Sequence, residues 1–258
     1  MKKKITIPAS SSNYAKDANL FQKVETVPGE QALYQTAKKE ILAELGCLRG
    51  PATLIDFCCG TCEIFSRMIP EPRIARFVGI DTEPVYLDFA KNRLTGVVSA
   101  DFILGDAVDC HLGVSADIVL ASSAYHHIQD DRKMMFLRNM IRHMKPGGRV
   151  VFAENILPEY ADEKGHAAAA KLFYGKRIQE AKALGMDEDV IRLLRQVMEC
   201  EIRREYEWKV DYRRFAEHLG SAGLTILKKT KVWPTRFEFE DPLAGDYVIV
   251  AGVPCGYM

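Results

Sequence analysis

Between Leu54 and Phe152 five short apolar runs, "TLIDFCC", "RFVGID", "DFILGD", "ADIVLASS" and "GGRVVFAEN", alternate with stretches of helical character. Each run is bounded by turn residues, and the long connections leave room for a crossover helix between neighbours, as parallel pairing requires. The chain is therefore committed to an α/β sheet of mostly parallel strands, doubly wound by its helices. Between the fourth and fifth runs, Leu137, Met140, Ile141 and Met144 recur at helical spacing, and "KPGG" is expected to stop that helix.

Outside this core the rhythm changes. Tyr14 to about Leu45 reads as helix, broken at "VPG" (Val27 to Gly29). From about Tyr160 to Trp208 Val190, Leu194 and Val197 mark a helical stripe without strand signal, an insertion of roughly 50 residues and long for a connection. A short helix, "DYRRFAEHLGSAG", precedes "LTILKKTKVW" and "DYVIVAGV", two β-branched runs that complete a seven-stranded sheet with an antiparallel last strand. The expected organisation is an N-terminal helical segment (1–49), a cofactor-binding core (50–158), a helical insertion (159–208) and a closing helix with the terminal strand pair (209–258).

The first strand runs into "CCGTC", a loop that opens a helix. Dinucleotide loops need several glycines because pyrophosphate approaches bare backbone at the helix N-terminus. Here only Gly60 is present, Cys58 and Cys62 flank it, and Glu63 puts a carboxylate in the first helical turn, where it repels phosphate. Asp56, Asp81 and Asp106 end successive strands about 25 residues apart, at the carboxyl edge where open α/β sheets bind ligands. Three carboxylates suit a ligand with ribose hydroxyls for Asp81, an exocyclic adenine amine for Asp106 and a cationic centre near Asp56.

"DFCCGTC" resembles the strand-one motif D-x-G-C-G-T-G of the Rossmann-like, class I S-adenosylmethionine-dependent methyltransferases, with Cys58 and Cys62 in glycine places. "VGIDTEP" is similar to that family's ribose-binding turn, "GDAVD" to its adenine-binding turn, "DIVLASSAYHHI" to its strand-four motif and "MKPGGRVVFAEN" to its turn into strand five. The resemblance covers residues 50 to 155 closely. It implies S-adenosylmethionine as cofactor, held by Asp56, Cys58, Gly60, Cys62, Asp81, Thr82, Asp106, Ala107 and Ser122, with Tyr14 and Phe21 from the N-terminal segment. It implies methyl transfer to a small-molecule acceptor in a pocket covered by the N-terminal helices and the insertion.

Two relatives of that chemistry compete. The "VPG" break, the insertion and the final strand pair are similar in layout to carboxy-S-adenosylmethionine synthase, although Glu30 stands where that family tends to have Tyr. An azetidine-2-carboxylate synthase, which cyclises the cofactor and leaves methylthioadenosine, is the related alternative. A catalytically silent cofactor-binding module is the reading from another class, since fold predicts a pocket and not turnover.

His126 and His127 follow strand four, where one can act as general base; His126 is expected to face the cavity, with the other packing. Tyr125 and Tyr174 join His126 as candidate catalytic residues, and Tyr34 is a further aromatic candidate for contact with a sulfonium. Arg177, Arg203 and Arg204 are weighed as a grip on a substrate carboxylate against a solvated helix face in "RREYEWK". Cys59 and Cys62 have C-x-x-C spacing, but no second pair follows to complete a structural zinc, so no metal is expected.

Lys plus Arg and Asp plus Glu both total 35, which leaves no global electrostatic footprint for nucleic acid or an anionic membrane. No [ND]-P-P-[YF] motif follows strand four, where the chain reads "SSAY", against a nucleic-acid methyltransferase; the missing phosphate loop argues against a nicotinamide dehydrogenase. "ITIPAS" is too short and polar for the core of a signal peptide, and the seven cysteines are odd in number, so a cytoplasmic protein with reduced thiols is expected. A homodimer is compatible with the chain.

Overall fold

A computed structural model describes residues 22–23, 25–69, 71–95 and 99–254. The elements run α1 (Pro28–Cys47), β1 (Ala52–Phe57), a single helical turn (Glu63–Ser66), β2 (Ile74–Asp81), α2 (Pro84–Arg93), β3 (Ala100–Leu104) and β4 (Ala116–Ser122). After two short 3-10 turns come α3 (Lys133–Arg142), β5 (Met144–Ile156), α4 (Glu163–Ala183), α5 (Glu188–Arg203), α6 (Tyr212–Ala222), β6 (Thr225–Trp233) and β7 (Gly245–Gly252). The helix before β5 closes at Arg142, ahead of "KPGG": the His143 N–H turns back to the carbonyls of Asn139 and Met140, and Met144 already begins the strand.

All seven strands form one sheet in the order β3-β2-β1-β4-β5-β7-β6. β1 to β5 pair in parallel, and β7 lies antiparallel between β5 and β6. β7 is buried along its whole length, whereas the edge strand β6 exposes Lys228 and Lys229, charges that discourage pairing with another chain. The strand order reverses between β1 and β4, so the crevice for a ligand opens beyond the carboxyl ends of those two strands.

Helices cover both faces. Phe136, Leu137 and Met140 of α3 with Phe215 and Leu219 of α6 pack on one side; Leu33, Ala37 and Ile41 of α1 with Leu87 and Ala90 of α2 pack on the other. The insertion is helical as expected: Asp162 and Asp187 cap α4 and α5 by accepting from the N–H groups of Gly165 and Asp189. Its inner face, including Phe173, Tyr174, Leu193 and Val197, forms a third core with Trp233 and Phe239.

One buried ion cluster ties these layers together. Arg177 of α4 donates to Glu30 of α1 (2.9 Å) and to Asp246 of β7, and its guanidinium lies over the rings of Trp233 and Phe173. The break at "VPG" serves this contact. Pro28 starts α1 at a position that needs no N–H partner, and a Cβ on Gly29 would sit 2.9 Å from Asp246 Oδ2. Arg177 is thus a buried pin rather than a substrate grip. Arg203 is exposed beside Glu205 and Glu199, and Arg204 pairs with Asp130.

Removing the guanidinium would leave two carboxylates buried without a counter-charge. Arg177→Met is expected to lower unfolding free energy by about 3–5 kcal/mol, read as an earlier urea midpoint at unchanged slope.

Candidate functional site

The loop after β1 is built from left-handed residues. Cys58 (φ 61°), Gly60 (φ 50°) and Cys62 (φ 57°) all have positive φ, a conformation that costs a non-glycine residue about 1–2 kcal/mol. The loop persists because its side chains are used. Cys59 and Cys62 are buried in the core, the Cys59 thiol lies 3.9 Å from the Gly60 carbonyl, and Gly79 of β2 leaves room for the Cys59 sulfur, which a Cβ there would meet at 2.9 Å. Cys62, expected at the ligand, instead anchors the loop from beneath. Cys58 is half-buried, and no atom beyond its chain neighbours lies within 4 Å of where a Cβ of Gly60 would stand, so the loop is open on its outer side.

Acids surround that opening. Asp81 accepts the N–H of Gly60 at Oδ2 and of Glu83 at Oδ1, both at 2.9 Å, so it fixes the loop and the turn into α2 while keeping lone pairs for a ligand. Asp106 accepts the Val108 N–H (2.9 Å) at Oδ1 and holds Arg132 (2.7 Å) at Oδ2. Asp56 is 3% exposed, and its Oδ1 has no hydrogen-bond partner among the described residues. Burial, then the charge of Asp81, pushes the Asp56 carboxyl well above the usual carboxylate range. Burial followed by the fields of Asp81, Asp56, Asp106 and Glu154 likewise drives the Cys58 thiol up. An orphaned buried carboxylate oxygen in such a field calls for a cationic or hydrogen-bond-donating ligand.

Thr82 is exposed, Ala107 buried and Ser122 half-buried at the same edge. Tyr14 and Phe21 lie outside the described residues. Glu25 enters this region from the segment before α1: it accepts from the Thr61 hydroxyl of the loop (2.6 Å).

Beyond β4 the chain turns through Tyr125–His127 into a buried polar network. Glu154 of β5 accepts the N–H groups of Ala124 (2.9 Å) and Tyr125 (2.8 Å) at Oε1, and His126 Nδ1 lies 2.6 Å from its Oε2. Burial first, then Lys209 and His127, holds the His126 imidazole well below its usual pKa, so it is neutral. On the far side His126 meets Glu207, which contacts Lys209, whose backbone N–H donates to Glu201 (3.0 Å), itself bonded to His166 (2.7 Å). The side chain of His126, the histidine expected to face the cavity, is 5% exposed and that of His127 33%, so His127 is the more exposed of the pair. His127 is also near enough to Asp81 to stabilise its charge, against the dominant upward effect of burial.

The other candidate residues divide. Tyr174 lies beside the network, with the Lys209 ammonium 5.5 Å from its ring centre. Tyr125 is turned into the core against Phe215, its hydroxyl on His218, and is not brought to the histidines by its ring. Tyr34 is buried beneath the Arg67 guanidinium. Sequence reasoning missed Glu154, Glu207, Lys209 and Arg132. Glu154 had a signal, a lone charge amid the apolar run "VVFAEN". Glu207 and Lys209 had none, because α5 ends at Arg203 and the chain then folds inward through left-handed Arg204 and Tyr206.

Residues 54–148 match the family model described as a methyltransferase domain. None of the curated proteins matches the chain. Among solved structures it is similar to the N-methyltransferase NodS from Bradyrhizobium japonicum WM9 in complex with S-adenosyl-L-homocysteine, at 12% identity over 92% of this chain and 97% of that one, with a TM-score of 0.58. An S-adenosylmethionine-dependent methyltransferase from Clostridium acetobutylicum ATCC 824 is 12% identical over 94% of this chain and 99% of that one, with a TM-score of 0.61. An O-methyltransferase family protein from Burkholderia thailandensis is 14% identical over 96% of this chain and 62% of that one, with a TM-score of 0.63. The fold is thus the Rossmann-like, class I methyltransferase fold. No described helix is long and apolar enough to cross a membrane.

Glu25 gives the site a pH signature. Burial raises its carboxyl from 4.5 to about 7, outweighing the Thr61 hydrogen bond. Below about 4.5 the group is protonated folded or unfolded; above about 7 it is ionised in both, and the buried charge destabilises the fold. Stability contributed here therefore falls as pH rises across that window. Glu25→Gln is expected to flatten this fall and to be the more stable protein at pH 8, by urea unfolding at a series of pH values.

Proposed function

We propose that this chain binds S-adenosylmethionine across the carboxyl ends of β1, β2 and β3 and transfers its methyl group to a small-molecule acceptor. The observation that carries the reading is the ring of acids around the loop at 58–62, above all the buried, unpartnered oxygen of Asp56. When bound, S-adenosylmethionine supplies an activated methyl group that passes to an acceptor lone pair while the carbon–sulfur electron pair stays with sulfur.

The chain's own residues bind, orient and dry the reactants. Asp81 takes the two ribose hydroxyls on the lone pairs left over from Gly60 and Glu83. The Asp106–Ala107 turn takes the adenine, with Arg132 steadying Asp106. Asp56 takes the ammonium group, and Cys58, Gly60 and the buttressing Cys62 shape the loop beneath the sulfonium. Thr82 and Ser122 flank the ribose and the methyl end.

Closure comes from the insertion. The Trp208 N–H donates to the His126 carbonyl (2.6 Å), and His127 Nδ1 lies 2.7 Å from the Tyr206 carbonyl, so the end of the insertion is fastened to the β4 edge. Holding two reactants in line and away from water supplies about 7–11 kcal/mol in favourable cases. The acceptor's proton leaves to an unprotonated nitrogen of His126 or His127 or to solvent. Neutral overall charge favours a small acceptor over nucleic acid.

Incubation with methyl-labelled S-adenosylmethionine and a metabolite extract tests the reading: labelled product should form with equimolar S-adenosylhomocysteine. Methylthioadenosine formed from the cofactor alone would move the chemistry to the aminobutyryl chain, and tight binding with no transfer to any acceptor would leave a silent binding module. Asp81→Ala is expected to weaken cofactor binding at least tenfold by calorimetry, through lost ribose contacts and a loosened loop.

Asp56 adds a linked proton. Because its carboxyl is raised in the free protein, an ammonium placed beside it favours ionisation, so cofactor binding should release a proton and tighten as pH rises. Binding enthalpies measured in buffers of different ionisation heat should differ for the wild type and coincide for Asp56→Asn.

A further inference from the structure

We propose that the hydroxyl of Ser123 binds the α-carboxylate at the amino-acid end of S-adenosylmethionine, across the crevice from Asp56. The assignment rests on the reading of this edge as a cofactor site and supplies a contact that its acids cannot make. Five buried side-chain atoms have no hydrogen-bond partner among the described residues: Asp56 Oδ1, Ser123 Oγ, Asn139 Oδ1, Arg177 Nε and Glu201 Oε2. Asn139, Arg177 and Glu201 stand on helices and are bonded through their other atoms. Asp56 and Ser123 lie instead at the carboxyl ends of β1 and β4, which pair directly, with Asp56 opposite Leu120. Both orphans therefore border the crevice at which the strand order reverses.

The backbone of Ser123 is as unusual as its hydroxyl. Its φ is 47°, in the left-handed region that favours glycine. The conformation is imposed from both sides: the Ser123 N–H donates to the Ala153 carbonyl of β5 (2.7 Å), and the next two N–H groups, of Ala124 and Tyr125, donate to Glu154. Glycine would adopt this turn without strain and would bury no hydroxyl. A polar side chain kept at a strained position, with no bond to the described protein, points to a ligand. Ser123 as a residue is half-buried, so it is not sealed within the core.

The chemistry of the cofactor identifies the ligand group. Its amino-acid end carries an ammonium and a carboxylate on one carbon. Asp56 suits the ammonium, and the carboxylate must then settle on an edge whose other acids are Asp81, Asp106 and Glu154. A carboxylate buried in such company needs a donor. Cations of the surrounding elements are turned to the protein itself: Arg132 to Asp106 (2.7 Å), Arg67 and Arg93 each to Glu63 (2.6 Å), and Lys133 to the carbonyls of Tyr125 (3.0 Å) and Ile128 (2.6 Å). A serine hydroxyl donates a charge-assisted hydrogen bond and adds no positive charge to repel the sulfonium. It turns about a single torsion, so it can be aimed at an incoming carboxylate while the backbone stays fixed.

The test uses the full chain without acceptor, titrated by calorimetry with S-adenosylmethionine and with decarboxylated S-adenosylmethionine, which differ only in the carboxylate. Wild type is expected to bind the first about tenfold or more tightly than the second. Ser123→Ala should lose about tenfold in affinity for S-adenosylmethionine and leave affinity for the decarboxylated ligand unchanged, so that the preference collapses. Ser123→Gly, which also relaxes the backbone, should show the same selective loss. Because the hydroxyl has no bond within the fold, neither variant should have an earlier urea midpoint than wild type. Undiminished affinity for S-adenosylmethionine in the variants, an equal loss for both ligands, or an earlier midpoint in both variants would each overturn the assignment. A wild type that binds neither ligand would overturn it together with the cofactor reading. Transfer of labelled methyl does not enter the measurement, so the methyl-transfer reading and this contact fail separately.

Discussion

A carboxylate withdrawn from water at the end of a strand and answered by backbone N–H groups is the device on which the molecule depends. Asp81 does this for Gly60 and Glu83, and Glu154 does it for Ala124 and Tyr125. In each case the acid fixes the turn that leaves a neighbouring strand or its own, and retains capacity for something else. Because the strands are parallel, these ends collect on one edge of the sheet. Burial raises the carboxyl pKa values of Asp81 and Glu154, and the N–H donors oppose that rise only in part; at Asp56 one oxygen has no hydrogen-bond partner among the described residues.

The added helices serve the same edge from both flanks. Arg177 locks α4 to α1 and β7, and Gly29 lets α1 come close enough for that contact. Glu25 then carries the segment before α1 onto Thr61 of the loop. From the other side, residues 206–209 turn under the β4 edge and supply Glu207 and Lys209. The insertion, the segment before α1 and the carboxyl edge of the sheet are therefore joined by hydrogen bonds.

The fold was legible to the level of strand count and direction. Apolar runs bounded by turn residues mark strands whatever their neighbours do, and the acids at 56, 81 and 106 follow the ends of those runs. The helical stripe of Val190, Leu194 and Val197 was legible for the same local reason. Less legible was the division of labour within short motifs. "CCGTC" does not say that Cys59 and Cys62 are buried while Cys58 is only partly so, and "YHH" does not say which histidine is the more exposed. Those choices depend on φ angles set by packing across the sheet, such as the room that Gly79 leaves for Cys59.

What the sequence by itself determined is the parallel sheet, its acid-tipped edge and a loop unsuited to phosphate, because each follows from periodicity and residue type over a few positions. Only the tertiary structure decided that "RREYEWK" folds inward instead of standing as a solvated helix face, that Arg177 is a pin, and that Glu207 meets His126 and His127. These pairings join residues far apart in the chain. Their partners are chosen by which buried charge must find its opposite once the layers close, and no local pattern records that requirement.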